Sequence, residues 1–364
     1  MTLRILGIGS ALPDSVITQA EGLRIAQAIC RDDSMQKWLP GIYQGAGIRT
    51  RRFCLPREVM DDVLAGTNSS RSPFVPKHQG DTLGPTTCER MQAYAEFAPP
   101  LAHAASHAAL AEARRSPGEV THVVTVSCTG FIAPGIAERL IGSLKLPPSV
   151  ERTNVGYMGC HGAFNGLRVA HAFAASDPSA RVLMCATELC SLHYDYAADP
   201  QRLIANAIFA DGSAALVLAS SGSTSPGLVA SASYVIPDTA DAMSWTIGDH
   251  GFQMNLSRRI PDLIAANLRP WLNAWLAKQG TSLAEIGSWA IHPGGPRIMA
   301  AVQESLGLSD AMLAESRAVY AECGNMSSAT VLFIVARLLR QKAKPPWVAL
   351  GFGPGLAVEA SLFG

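Results

Sequence analysis

The stretch "NVGYMGCHGAFNGLR", Asn154 to Arg168, sets the fold question for this chain. A strand-like run ends in small residues, Cys160 follows between Gly159 and Gly162, and helical periodicity begins behind it. That order predicts a strand-to-helix turn with the cysteine at the helix start. A thiol there feels the positive end of the helix dipole, which favours thiolate. The glycines admit a substrate and leave backbone N–H groups able to bind an oxyanion. A small buried cysteine in a close-packed turn fits the same residues equally well. Residues far along the chain decide between the two readings.

Outward from this turn, apolar strand-like runs alternate with Ala-rich helical stretches. "THVVTVSCTG", "ARVLMCATEL", "SAALVLASS", "SWAIHP" and "WVALGFGPGLAVEASLF" carry the strand signal. Helical periodicity covers Thr87 to Arg115, Cys160 to Ala175, Ser257 to Gln279 and Ser327 to Gln341. This alternation predicts an α/β architecture in which low-charge helices lie between layers. Ala219 to Gly227, "ASSGSTSPG", is the best linker, and the expected division is 1–222 and 223–364. Asp61 to Gly84, rich in Ser, Pro and Gly, reads as a loop excursion.

The 364 residues exceed one simple core, and 48% are hydrophobic while only 16% are charged. Lys+Arg and Asp+Glu balance at 29 each, which argues against nucleic acid or an anionic membrane as main partner. No run approaches a membrane span, and "MTLRILGIGSALP" lacks the features of a leader peptide, so a cytoplasmic protein is expected. None of the eight cysteines forms a CxxC pair, and no metal site is expected.

Three further features bear on Cys160. "WAIHPGGP" ends a strand at His292, and Pro293 holds that residue out of helical geometry. "ECGNMSSATVLFIVARLL" puts Asn325 just before a helix, where an ordinary N-cap is the simplest role, with Ser327 and Ser328 as competing caps. "GFGPGL", Gly351 to Leu356, is a glycine loop too irregular for a dinucleotide fingerprint.

Together, Cys160, "HPGG" and "GNMSS" resemble the thiolase superfamily. "GNMSSATVLF" with "GFGPGL" resembles the chalcone-synthase-like type III polyketide synthases, as does "FADGSAAL", Phe209 to Leu216. The resemblance implies a five-layer αβαβα fold of two similar halves and a homodimer. It implies that Cys160 takes an acyl group from an acyl-CoA, with His292 as its partner. His292 and Asn325 would then stabilise the enolate formed when malonyl-CoA loses CO2. Phe209 matches the family's residue between CoA tunnel and cavity. No cofactor beyond the CoA thioesters is implied.

The chain departs from the plant pattern in the cavity. Trp245 stands where plants have glycine, Met254 is at the gatekeeper position, and His193, Cys190 and Cys128 replace threonines, while Ser327 matches. The resemblance therefore implies either a shortened cavity or a bacterial-type enzyme that houses an alkyl starter. Cys190 is expected to weaken a hydroxyl relay from Glu188 toward Ser327. Arg49, Arg51, Arg52 and Arg297, with Gly294 and Gly295, are candidates for the CoA mouth. Ala133 replaces a methionine that reaches into the partner subunit in plants. The expected activity is starter loading, repeated decarboxylative extension, and cyclisation to a phenolic or pyrone. The alternatives are an initiating β-ketoacyl synthase acting on a carrier protein and a silent acyl-CoA-binding subunit.

Overall fold

A computed structural model describes residues 2–30, 32–78, 81–197 and 199–364. The first part of the chain supplies β1 (Leu3–Ala11), β2 (Ser15–Thr18), β3 (Thr50–Phe53), β4 (His122–Ser127), β5 (Glu151–Gly156), β6 (Arg181–Leu189) and β7 (Asp211–Ala219). The second supplies β8 (Gly227–Val235), β9 (Met243–Gly248), β10 (Gly251–Leu256), β11 (Ser288–Ile291), β12 (Trp347–Gly353) and β13 (Ala357–Phe363). Helices α1 (Gln19–Ile29), α2 (Asp33–Gln36), α3 (Leu39–Gly45), α4 (Arg57–Ala65), α5 (Thr87–Ala113), α6 (Ile136–Leu144), α7 (Gly162–Ser176) and α8 (Pro200–Ile208) belong to the first part. The second adds α9 (Ile260–Lys278), α10 (Pro296–Leu306), α11 (Ala314–Cys323) and α12 (Thr330–Arg340).

Among the described residues nine strands form one sheet, in the order β11-β12-β13-β8-β1-β7-β6-β4-β5. Its seam is thin, since β1 and β8 pair only through Leu3 with Leu228 and Arg4 with Gly227. Outward from the seam, β1-β7-β6-β4 and β8-β13-β12-β11 repeat one pattern of antiparallel, antiparallel, parallel neighbours. The first side adds β5, parallel to β4. The second carries a single bridge at the corresponding approach to its central helix, between Phe209 and Asn325.

Side-chain alternation sets the layers. In β6, Val182, Met184 and Ala186 face a central core, while Leu183, Cys185 and Leu189 face an outer one. The central core holds α7, through Phe164 and Leu167, and α12, through Leu332 and Val335, between the two sides of the sheet. Helix α5 covers one outer face and α9 with α10 cover the other, giving five layers, αβαβα. Burial on both faces explains why β4, β7, β12 and β13 are mostly apolar and show no alternation of apolar and exposed polar residues.

Helix α5 begins at a Thr86–Glu89 capping box and lies unusually close to β1. A Cβ on Gly9 would fall 2.2 Å from the Ala105 carbonyl oxygen, and one on Gly7 would fall 2.4 Å from Ala113 N. Ala98, Ala102, Ala105 and Ala109 give the matching small face. Two sequence expectations change. The run from Trp347 is two antiparallel strands turning at Pro354 and Gly355, and the excursion from Asp61 starts inside α4 and ends against Tyr196, whose ring meets Gly84.

Candidate active site

Cys160 stands in a single tight turn, Gly159–His161, that runs directly into α7. Gly159 has a φ of 75°, and a Cβ there would lie 2.4 Å from Pro354 Cδ. A Cβ on Gly162 would lie 2.9 Å from Val126 Cγ1. Both glycines therefore serve packing: the first lets the "GFGPGL" loop press on the cysteine turn, and the second seats α7 on β4.

A second turn, Ser327–Ala329, leads into α12 in the same way. Asn325 precedes it and is fixed by its backbone, since its N–H donates to Ile208 O and its carbonyl accepts from Ala210 N, each at 2.9 Å. Its Oδ1 accepts the Ser327 N–H at 2.9 Å. The side chain thus does cap the turn, and that capping bond forces Nδ2 to face the Cys160 sulfur, 4.0 Å away. One amide performs both tasks. Ser327 holds a φ of 46°, unusual for a residue with a side chain, and this aims its hydroxyl at Cys128 Sγ, 2.9 Å away.

His292 follows β11, and its N–H donates to Leu350 O at 2.8 Å, one step beyond the β11–β12 pairing. Its ring is fully buried, and neither ring nitrogen has a hydrogen-bond partner among the described residues. A buried imidazole left unpaired is costly, so this one is poised for a ligand group. Burial lowers it from 6.5 to about 3, with nearby His161 acting in the same direction. Burial pushes the Cys160 thiol up to about 12, against hydrogen bonds from Ser327 and Asn325. Burial thus opposes charge on each of these two groups.

The space beside the thiol is about 20 Å³, bordered by Cys128, Cys190, Phe209, Met243, Trp245 and Met254. That is room for a water, not for an acyl chain. Trp245 and Met254 face each other across the β9–β10 hairpin. The indole N–H donates to Cys128 O at 2.8 Å, and Trp245 O accepts from Tyr157 OH at 2.6 Å. His193 stands behind the indole, at 5.6 Å between rings, and does not border this space. Its Nδ1 accepts from Phe252 N at 3.0 Å, so Nε2 carries the hydrogen donated to Thr129 O at 2.6 Å. Burial lowers His193 to about 3, leaving a neutral wall with no free nitrogen.

Glu188 is completely buried with hydroxyls, a thiol and one backbone amide around it. Thr129 Oγ1 donates at 2.7 Å, Cys128 N at 3.0 Å and Cys128 Sγ at 3.3 Å, and Ser328 Oγ also donates. Burial pushes the carboxyl up despite these donors. The expectation that Cys190 weakens the link from Glu188 to Ser327 is corrected: the link runs through Cys128, which touches both.

The arginines separate. Arg51 is wholly buried and does not reach a mouth, and its Nη1 donates to Asn206 O at 2.6 Å and Phe209 O at 2.8 Å. It ties down the end of α8 and so positions Phe209 and, through the adjoining bridge, Asn325. Arg52 Nη1 donates to Pro13 O and Asp14 O. Arg49 is exposed and paired with Glu322 at 3.3 Å. Arg297 is exposed in the first turn of α10, directly after Gly294 and Gly295.

Sequence reasoning missed Met243 and Pro354 at the thiol, and Thr129 and Ser328 at Glu188. Ser328 had a signal in its place in "GNMSS", and Pro354 in its place in "GFGPGL". It missed Asp211 too, pushed up to about 6 by burial while it binds Ser191 N at 2.7 Å and Cys54 N at 2.6 Å. These bonds anchor the turn that carries Cys190.

Comparison with known proteins agrees with this geometry. The family "Chalcone and stilbene synthases, N-terminal domain" matches residues 2–222, and its C-terminal domain matches 227–363. The alpha-pyrone synthesis polyketide synthase-like Pks18 of Mycobacterium tuberculosis is 32% identical over 370 residues, 99% of this chain and 90% of its own. The 1,3,6,8-tetrahydroxynaphthalene synthase of Streptomyces griseus is 29% identical over 97% of this chain and 90% of its own. The crystal structure of PKS-I from the brown alga Ectocarpus siliculosus superposes with a TM-score of 0.89 at 30% identity, covering 100% of this chain and 98% of that one. With both family domains matched and the strand order, buried cysteine turn and paired second turn in place, the chain belongs to the chalcone and stilbene synthase family and is a type III polyketide synthase.

Proposed function

We propose that Cys160 is the acyl acceptor, His292 its proton partner, and His292 with Asn325 the donors that stabilise the malonyl-derived enolate. The observation that carries this is one fully buried imidazole with both nitrogens unpaired, together with an amide N–H turned on the cysteine sulfur. With thiol and imidazole neutral at rest, loading passes the Cys160 proton to His292 as sulfur attacks the thioester. The C–S bond to CoA breaks, and the proton leaves with the CoA thiolate. Malonyl-CoA then loses CO2, its carbanion forms the new C–C bond at the acyl carbonyl, and Cys160 thiolate is released. Two donors in a dry pocket favour the enolate where charge develops.

The starter we propose is an aliphatic acyl-CoA, extended to a pyrone or phenolic product. Small spaces continue from the thiol. Cys190, Phe209, Trp245 and Met254 border both the first and the next, of about 30 Å³, and Phe53, Ser191 and Tyr194 are shared with a third. The third is walled by Ile25, Ile29, Val59, Met60 and Val63 of α1 and α4, an apolar lining suited to alkyl carbon. Exposed Arg297 at the start of α10, with Gly294 and Gly295, is our candidate for the CoA phosphates, with Arg49 and Arg52 behind it. No cofactor beyond CoA thioesters is needed. No helix among the described residues is long and apolar enough to cross a membrane, and we assign the enzyme to the cytoplasm. Among the described residues no strand pairs with the outer edge of β5, and Phe131 beside it is 54% exposed, which supports a homodimer through this edge. The halves we propose are 1–222 and 223–364.

Mass spectrometry of products from malonyl-CoA and starters ranging from acetyl-CoA to long-chain acyl-CoAs tests the reading. Products with two or more malonyl-derived units that vanish in Cys160→Ala are expected. Products with no more than one added unit on every starter would overturn iterative extension, and preference for acetyl-CoA over every longer chain would overturn an alkyl-chain starter seated in the third space.

A further inference from the structure

Tyr194 closes the turn that carries Cys190 and has no part in the chemistry above. It borders the second of the small spaces that lead from the thiol and also the third, as do Phe53 and Ser191. These three side chains are the partition that an alkyl chain must pass to reach the apolar wall of α1 and α4. Two of them are fixed. Ser191 N donates to Asp211 Oδ1 at 2.7 Å, and the Ser191 hydroxyl donates to the same carboxylate. Phe53 is buried on β3, with the Arg51 guanidinium carbon 5.2 Å from its ring centre.

Tyr194 is held differently. Its main chain is anchored, because its N–H donates to Ser191 O at 3.1 Å and its carbonyl accepts from Arg90 Nη1 at 3.0 Å. The residue is half-buried, and its ring meets Tyr196 edge-on at 6.3 Å. Among the described residues the Tyr194 hydroxyl has one hydrogen-bond partner, the Tyr43 hydroxyl of α3, at 3.1 Å. Tyr43 is the immobile member of the pair. It is 2% exposed, Arg51 stands 5.9 Å from its ring centre, and a Cβ on Gly22 of α1 would fall 3.1 Å from its Cε1. One contact between two phenols thus sets the rotamer of a ring whose backbone need not move.

We propose that Tyr194, latched by Tyr43, is a specificity-determining residue for starter length: closed, it divides the second space from the third, and a long alkyl chain swings it aside to enter the third. This rests on the alkyl-starter reading above. A chain that ends short of the partition gains nothing from opening it. A chain that crosses forfeits the phenol hydrogen bond and buries its further methylenes against Ile25, Ile29, Met60 and Val63. Each carbon added beyond the partition therefore favours the open ring. The partly exposed position of Tyr194 lets its displaced hydroxyl bond to water in place of Tyr43.

The test is a competition for Cys160. Butanoyl-CoA and dodecanoyl-CoA are mixed in equal amounts with the enzyme, and the two acyl-enzymes are counted at early times by intact-mass spectrometry. Their ratio compares both starters inside one sample, so it does not change with the fraction of a variant that folds. Tyr194→Phe and Tyr43→Phe each keep a ring and remove the latch, and each should raise the dodecanoyl-to-butanoyl ratio about threefold or more. The double variant should show no further rise, since the same hydrogen bond is lost in each case. Wild-type ratios in both single variants, or effects that multiply in the double variant, overturn the proposal. Met60→Trp, which fills the third space, separates the latch from the starter reading, and Val63→Phe serves if that variant does not fold. An unchanged ratio there means that the chain does not enter the third space, and the alkyl-starter seat fails together with this inference. A lowered ratio there, with wild-type ratios in both phenylalanine variants, overturns the latch alone.

Discussion

The turns that open α7 and α12 occupy corresponding places in the repeated strand order, yet they carry different chemistry. Each has a glycine with positive φ before its functional residue, Gly159 at 75° before Cys160 and Gly324 at 73° before Asn325. Each then enters a helix buried in the central layer. The first follows a full edge strand, β5, and presents a thiol. The second follows only the Phe209–Asn325 bridge and presents an amide and a hydroxyl. The repeated backbone brings two helix starts together, and in the function we propose a few side chains assign one to the nucleophile and the other to the donors.

Substitution in the two turns should divide the reaction. Cys160→Ala should abolish both the acyl-enzyme and product, read by intact mass and product analysis. Asn325→Ala should still load starter but lose about 10²–10³ in malonyl-CoA decarboxylation, about 3–4 kcal/mol, read as CO2 release. Equal loss of loading in both would break the division of labour.

The glycines sharpen the comparison through stability. Gly159→Ala meets Pro354 Cδ at 2.4 Å, whereas Gly324→Ala meets Arg51 Cγ at 2.9 Å and Ala210 Cβ at 3.0 Å. Both incur left-handed strain, so we expect losses of about 3 kcal/mol and about 2 kcal/mol respectively in denaturant unfolding. The reverse order would mean that the "GFGPGL" loop yields more easily than the Arg51 anchor.

Among the described residues His292 has no side-chain hydrogen-bond partner, so its replacement isolates a proton effect. The unfolded histidine protonates near 6.5 and the folded one near 3, so wild-type stability falls as pH drops through that window. His292→Gln should remove about 2 kcal/mol of that acid penalty at pH 5, seen as a flatter pH profile of unfolding.

The smallest effects belong to the walls between the turns. Trp245→Ala should open the space beside the thiol and lengthen the products, with total turnover changed by less than about tenfold. Cys128→Ala should shift the ratio of ring-closed products, because it cuts the contact between Glu188 and Ser327.

The α/β class and the cysteine turn were legible because each depends on local grammar, strand period and glycine punctuation, whereas Cys160, His292 and Asn325 stood out only through their joint resemblance to a family. Arg51 was misread because nothing in "IRTRRF" tells a surface guanidinium from one that binds Asn206 O and Phe209 O, contributed by a segment some 150 positions away. The Glu188–Cys128–Ser327 link was missed for the same reason. Cys128 and Cys190 look alike as threonine replacements, and only the fold places one sulfur between the carboxylate and the hydroxyl.

By itself the sequence determined the alternation of strands and helices and which reactive residue types stand at their ends, since periodicity and reactivity are properties of neighbouring residues. Tertiary structure alone decided which charges are buried, which imidazole is left unpaired and which is locked, and how little space adjoins the thiol. Those depend on which distant atoms exclude water from each group, and no local pattern in a chain records that.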